Sequence, residues 1–179
     1  MIEVVDHDPR WAQVFAAVAA DLTEALSGVP VVAIEHVGST AVPDLPAKPI
    51  IDIDVLVATQ ADLSAAILAL TRVGYAHRGD LGIPGRHSMA EPDSPRRNVY
   101  ICLADSLAVR NHLAVRETLR RDPALRREYA AEKRRLAASV TELPDYVEGK
   151  TPILAKILAR AGVGESELGH IAEVNRAQG

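Results

Sequence analysis

Cysteine is almost missing from the 179-residue chain, Cys102 being the sole example. That excludes an intramolecular disulfide framework and any cysteine-based zinc site, and it fits a reducing, cytoplasmic setting. Aromatic residues make up only 3%, so the core has to be built from Ala, Val, Leu and Ile. No apolar run approaches the roughly 20 residues needed to cross a bilayer, and no membrane partner is expected. The N-terminus MIEVVDHDPRWAQVF carries Glu3, Asp6, His7 and Asp8 within its first eight positions, which is unlike a signal peptide or a basic transit peptide. Charge of one sign is also scarce: 20 Lys plus Arg stand against 24 Asp plus Glu, for a net charge of -4. A generic polyanion binder is excluded, a local basic groove is not, and nothing in the balance points to nucleic acid. No Gly-x-Ser-x-Gly spacing supports serine hydrolysis, and His7, His112 and His170 show no metal-binding spacing.

What is present, 48% hydrophobic and 25% charged residues, describes a folded globular chain. The length fits a single domain over 1–179, able to bury about 70% of its unfolded surface. Asp8-Pro9 reads as a helix start, and Trp11, Val14, Phe15, Val18, Leu22 and Leu26 recur at helical spacing, so a helix is predicted over 9–27. A β-branched strand over 31–37 stops at Gly38-Ser39, and after a proline-rich loop a second strand runs over 50–57. Thr59 and Asp62 resemble a capping box for a helix ending towards Gly74, after which Tyr75 opens a weaker strand. Residues 78–97, rich in Gly and Pro, read as an exposed, mobile flap with at most a short strand at 87–90. A strand over 97–103 follows, and everything beyond 106 is helical in pattern. The class is therefore α+β: a small mixed sheet flanked by helices over 1–105, then a helical part over 106–179. The charged stretch 116–135 reads as salt-bridged, solvated helix faces.

The chemistry concentrates in HVGSTAVPDLPAKPIIDIDV, residues 36–55. Asp52 and Asp54, two apart on a strand, share one face, while Ile51, Ile53 and Val55 share the other. Two carboxylates so close repel unless a cation sits between them, and a hard ion such as Mg2+ or Mn2+ takes such oxygens while keeping positions for phosphate. The bland alternative is an acidic pair on a solvated strand face. Gly38-Ser39 lets backbone approach a phosphate closely, although a Gly-Ser after a strand is also an ordinary turn.

A Gly-Ser turn followed about a dozen residues later by an acid-apolar-acid strand resembles the nucleotidyltransferase superfamily. The longer string resembles the GrpB family within that fold. Trp11, Gly74-Tyr75, Arg97 before a strand, the run from Leu119 through Tyr129 to Lys133, and Tyr146 to Lys150 extend the resemblance along nearly the whole chain. It implies a nucleotidyltransferase-type sheet and a nucleoside triphosphate gripped at Gly38 and Ser39, with Asp52 and Asp54 as catalytic metal ligands for Mg2+ or Mn2+. The nucleotidyl group would pass to an unknown acceptor. Lys48 would meet phosphate or neutralise the acids. Arg97 is a candidate phosphate clamp by the same match, whereas Arg86, in an irregular loop, reads as a solvated surface residue. His36 reads as a hydrogen-bonded core residue in preference to a pocket residue.

The sequence also departs from the pattern. The third acid of nucleotidyltransferases has no counterpart in the strand 98–102, and Tyr100 and Cys102 stand where GrpB relatives tend to have histidines. Tyr100 is a poor base at neutral pH and Cys102 reads as a small buried residue. The remaining candidates for a base, His87, Glu91 and Asp93, lie in the flap. A catalytically silent nucleotide-binding or interaction module on the same fold is the alternative to a transferase.

Overall fold

The computed structural model describes residues 2–91 and 95–164. The sheet-bearing part opens with α1 (Arg10–Ala25), whose start is fixed by the Asp8 carboxylate accepting the Arg10 backbone N–H at 2.9 Å. Its apolar stripe buries Trp11, Val18 and Leu22. Gly28, at φ +88°, turns the chain into β1 (Val31–Val37). A one-turn 3-10 helix (Ser39–Ala41) and a loop lead to β2 (Ile51–Val57). The Thr59 Oγ1 then caps α2 (Gln60–Arg72) by accepting the Asp62 N–H at 3.1 Å. The return bond of this capping pair runs from the Thr59 hydroxyl to Asp62 Oδ2 at 2.6 Å. The hydroxyl thus takes the place of the backbone N–H that the longer Glu of a capping box would reach.

Three further strands follow: β3 (Ala76–His77), β4 (Arg86–Ala90) and β5 (Arg97–Leu103). The sheet order is β1-β2-β5-β4-β3, parallel between β2 and β5 and antiparallel elsewhere. The mixed α+β sheet thus matches the sequence reading, except that β4 starts at Arg86, inside the expected flap. Asp93 and His170 lie outside the described residues.

Alternation along β2 and β5 sorts residues onto two faces. Ile51, Ile53, Val55 and Val57 join Val99, Ile101 and Met89 in a core packed against Trp11, Val18 and Leu22 of α1 and Leu63, Ala66 and Leu70 of α2. The other face carries Asp52 and Asp54, with Asn98 and Tyr100 directly opposite them on β5. The helical part covers that side: α3 (Leu107–Arg121), α4 (Pro123–Ser139), α5 (Leu143–Gly149) and α6 (Thr151–Arg160). Val42 and Leu45, from the loop before β2, pack with Leu119, Leu125, Tyr129, Ile153 and Ile157, and so fasten the helices to the sheet. Most charges in 116–135 do form ion pairs, including Arg116 with Glu35 and Glu117 and Arg135 with Glu132. No helix among the described residues is long and apolar enough to cross a membrane.

Candidate functional site

The site begins where β1 ends. Antiparallel register places Val37 opposite Asp52, so the next residue, Gly38, passes directly beside the Asp52 carboxylate. Its φ is +70°, and a Cβ there would collide with Asp52 Oδ2. Only glycine meets both conditions. Ser39, next in the turn, lines the cavity together with Tyr129 of α4.

Asp52 and Asp54 each have one oxygen committed. Asp52 Oδ1 accepts from Asn98 Nδ2 at 2.7 Å, and burial, ahead of every other influence, raises its carboxyl above the usual range. Asp54 is fully buried; its Oδ2 accepts from His112 Nδ1 at 2.7 Å, while its Oδ1 has no hydrogen-bond partner among the described residues. A partnerless buried carboxylate oxygen is costly in a protein and is relieved by a cation. A hard divalent ion needs only one or two carboxylates when phosphate oxygens and waters fill its other positions, so this pair fits Mg2+ or Mn2+ bound together with a phosphate ligand. It does not make an all-protein cage: the described residues bring together no group of three His, Cys, Asp or Glu that could hold a metal.

A cavity of about 710 Å³ opens between this face and the helices. Gly38, Ser39, Lys48 and Asp52 line it from the sheet side, and Lys133 and Lys150 from the helical side. Lys133 is 2% exposed and its ammonium has no hydrogen-bond partner among the described residues; it lies 4.9 Å from the centre of the Tyr129 ring. Burial pulls its pKa down to about 7, with Lys150 adding repulsion. The Lys150 ammonium sits 4.7 Å from the Tyr146 ring centre, and burial lowers it to about 8 against the pull of Asp52. Arg86 lines the same cavity, buried, its guanidinium 4.5 Å from the Tyr100 ring centre and its Nε without a hydrogen bond. Among the described residues five buried side-chain polar atoms lack a hydrogen-bond partner; three, on Arg86, Asn111 and Lys133, belong to residues of the cavity wall, and a fourth is Oδ1 of Asp54, whose Oδ2 is held by His112 of that wall. Groups left unsatisfied together in one place call for a ligand.

Of the residues singled out in the sequence, Gly38, Ser39, Lys48 and Asp52 line the cavity, while Asp54 is fully buried on the same strand face and reaches the wall through its bond to His112. Lys48 is half-buried and lowered by that burial, with Asp52 opposing. Arg97 does not reach the cavity. Its register partner is Ile51, which puts it on the core face, where its Nε donates to the Tyr75 hydroxyl at 2.8 Å and one terminal nitrogen donates to the Pro95 carbonyl at 2.9 Å. The phosphate clamp expected at Arg97 is corrected accordingly, and the arginine that does line the cavity is Arg86, which the sequence placed at the surface. His36 is the core histidine expected: Nε2 lies 3.0 Å from Thr40 Oγ1 and the ring stacks on Phe15 at 4.6 Å. His87 points away from the cavity and meets His77 at 3.0 Å, and Glu91 is not part of the lining. Tyr100, pushed up to about 12 by burial and then by Asp52, is no base. Cys102 is fully buried against Leu56 and Val109.

Sequence reasoning missed His112, the imidazole that the site does contain. Its contact with Asp54 joins residues 58 positions apart, and no local spacing signals it. Lys133 and Lys150 lay within segments already matched to a family pattern, which was the only available pointer.

The GrpB protein family model matches residues 1–160. A UPF0157 protein of Pseudomonas aeruginosa is 37% identical over 164 residues, spanning 89% of this chain and 67% of that protein. The UPF0157 protein YqkA of Bacillus subtilis is 31% identical over 151 residues, 83% of this chain but 44% of that protein, so the chain spans less than half of this relative's length. The crystal structure of conserved protein GrpB from Enterococcus faecalis superposes with a TM-score of 0.79 at 31% identity, covering 89% of this chain and 96% of that one. Cid1 poly(U) polymerase with MgGTP bound reaches a TM-score of 0.46 at 15% identity, over 73% of this chain and 45% of that one, a likeness too slight to argue from.

Proposed function

The chain belongs to the GrpB family, and we propose that its cavity binds a nucleoside triphosphate together with Mg2+ or Mn2+ and transfers the nucleotidyl group to an acceptor. The carrying observation is a set of polar atoms without partners among the described residues: those of Lys133 and Arg86 on the cavity wall, and a carboxylate oxygen of Asp54, which is bonded to His112 of that wall. A ligand satisfying both signs carries phosphate and a divalent cation. Gly38 and Ser39 bring backbone against the phosphates, Lys48, Lys133, Lys150 and Arg86 neutralise them, and Asp52 and Asp54 hold the metal. When bound, the metal neutralises charge that develops on the transferring phosphate. In the transfer an acceptor hydroxyl oxygen would attack the α-phosphorus in line and give up its proton to water, the bond to the bridging oxygen of the β-phosphate would break, and pyrophosphate would leave. The cytoplasm is the setting for this activity.

Calorimetry with each of the four nucleoside triphosphates, with and without Mg2+ or Mn2+, tests the binding. Affinity is expected to depend on metal in the wild type and to lose that dependence in the Asp52→Asn, Asp54→Asn double variant; failure of all four nucleotides to bind with metal present would sink the reading. Incubation with α-labelled nucleotides and lysate as acceptor pool tests transfer, which should release pyrophosphate and vanish in Asp52→Asn. A second reading, a silent nucleotide-binding module, is favoured because no third metal-capable His, Cys, Asp or Glu among the described residues groups with Asp52 and Asp54. Tight metal-dependent binding with no label transferred would decide for it.

A further inference from the structure

We infer that His112 is a positioning residue of this site, holding Asp54 through its Nδ1–H so that the other carboxylate oxygen faces a divalent cation. The inference rests on the proposed metal-nucleotide reading and goes beyond it by assigning a role to a helix residue that contributes no ligand.

Asp54 is fully buried on β2, an interior strand between β1 and β5, so water cannot orient its carboxylate. An ionised carboxylate only accepts hydrogen bonds, so the 2.7 Å contact requires the proton on His112 Nδ1. That bond ties down Oδ2 and leaves Oδ1, sealed from solvent and without a protein partner, as the oxygen available to a cation. The neighbouring carboxylate is divided the same way. Asp52 Oδ1 accepts from Asn98 Nδ2 at 2.7 Å, and its Oδ2 lies against Gly38. Each acid is thus pinned by one N–H donor, Asn98 from β5 and His112 from α3, and each keeps one oxygen without a hydrogen-bond partner among the described residues. Such donors fix a ligand's rotation before the ion arrives, and their loss typically weakens metal binding 10–100-fold. His112 is assigned its Nδ1 contact with Asp54 alone, since the described residues assemble no three-residue metal group that would enlist its Nε2 as well. Its side chain is 30% exposed on the cavity wall, so replacing it leaves the buried core intact.

Mn2+ uptake, read by water-proton relaxation on the full chain alone and with inorganic triphosphate, tests the assignment in three variants. His112→Asn keeps an N–H close to the position of Nδ1, His112→Gln moves the amide one bond outward, and His112→Ala removes it. The expected result is a 10–100-fold loss of Mn2+ affinity in His112→Ala and His112→Gln, most of it restored in His112→Asn, with no matching order in the melting temperatures. Affinity in His112→Ala and His112→Gln equal to that of wild type would overturn the inference, as would His112→Asn binding no better than His112→Gln. If wild type takes up no Mn2+ with or without triphosphate, the metal-nucleotide reading fails first, and the inference with it.

Discussion

Two faces of one sheet, alternating residue by residue along the same strands, follow opposite rules. Towards α1 and α2, Ile53, Val55, Val99 and Ile101 are fully buried among apolar neighbours, and His36, stacked on Phe15 at that side, is kept neutral by its surroundings. Towards the helical part, Asp54, Arg86 and Lys133 are nearly as deeply buried but keep polar atoms without partners. The first face contributes stability by removing apolar surface from water. The second carries unsatisfied polar groups at a cost in stability, which a ligand would offset. The comparison teaches that burial alone does not mark a structural residue; what matters is whether the buried group is already satisfied.

The sharpest way to break this comparison is to cut each face. Ile53→Ala should cost about 2–5 kcal/mol in urea unfolding, the range for a large-to-small change in a packed core. Asn98→Ala, an exposed position on the cavity side of β5, should cost less than about 1 kcal/mol while weakening Mn2+ and nucleotide binding. Equal losses of stability would show that the two faces do not differ as argued.

A smaller effect concerns pH on the core face. Burial first, then Arg120 and Arg116, depress the His36 pKa to about 4 from 6.5. The folded state therefore refuses a proton that the unfolded chain accepts. Stability from this group is complete above pH 6.5 and is lost as pH falls towards 4, by an amount on the order of 2 kcal/mol after discounting for partial exposure. Unfolding midpoints compared at pH 7.5 and pH 4.5 should fall less for His36→Gln than for wild type, and parallel falls would refute the assignment.

The smallest expected change has the opposite sign. Lys133→Met keeps an apolar stem but removes a partnerless buried ammonium, so the variant should be about 1 kcal/mol more stable while binding nucleotide at least tenfold more weakly, the usual trade between stability and a poised site. Urea titration and calorimetry on one preparation give both numbers. A less stable Lys133→Met would mean that the lysine supports the fold.

Legibility in the sequence followed range. The acid-apolar-acid strand announced its two faces because strand periodicity is local, and Gly38-Ser39 stood close enough along the chain to be tied to it. Arg97 was misplaced because its face depends on the register between β2 and β5, which pairs it with Ile51 and which no local pattern states. Arg86 was hidden by the Gly- and Pro-rich composition around it, although β4 begins at that residue. Lys133 was lost among Arg126, Arg127, Arg134 and Arg135, since one inward cation in a charged helix looks like its solvated neighbours until the helix has something to pack against.

The burial of Cys102 has a practical consequence. Its thiol is fully enclosed on the strand next to β2, and burial, reinforced by Asp54, raises its pKa. A thiol so enclosed and so weakly ionised is inert to alkylating reagents until the strand is uncovered. Because it is the sole cysteine, the rate at which the native protein becomes modified measures how often the centre of the sheet opens. The chain thus carries a built-in clock for opening motions, one that a ligand bridging the sheet and the helices would slow.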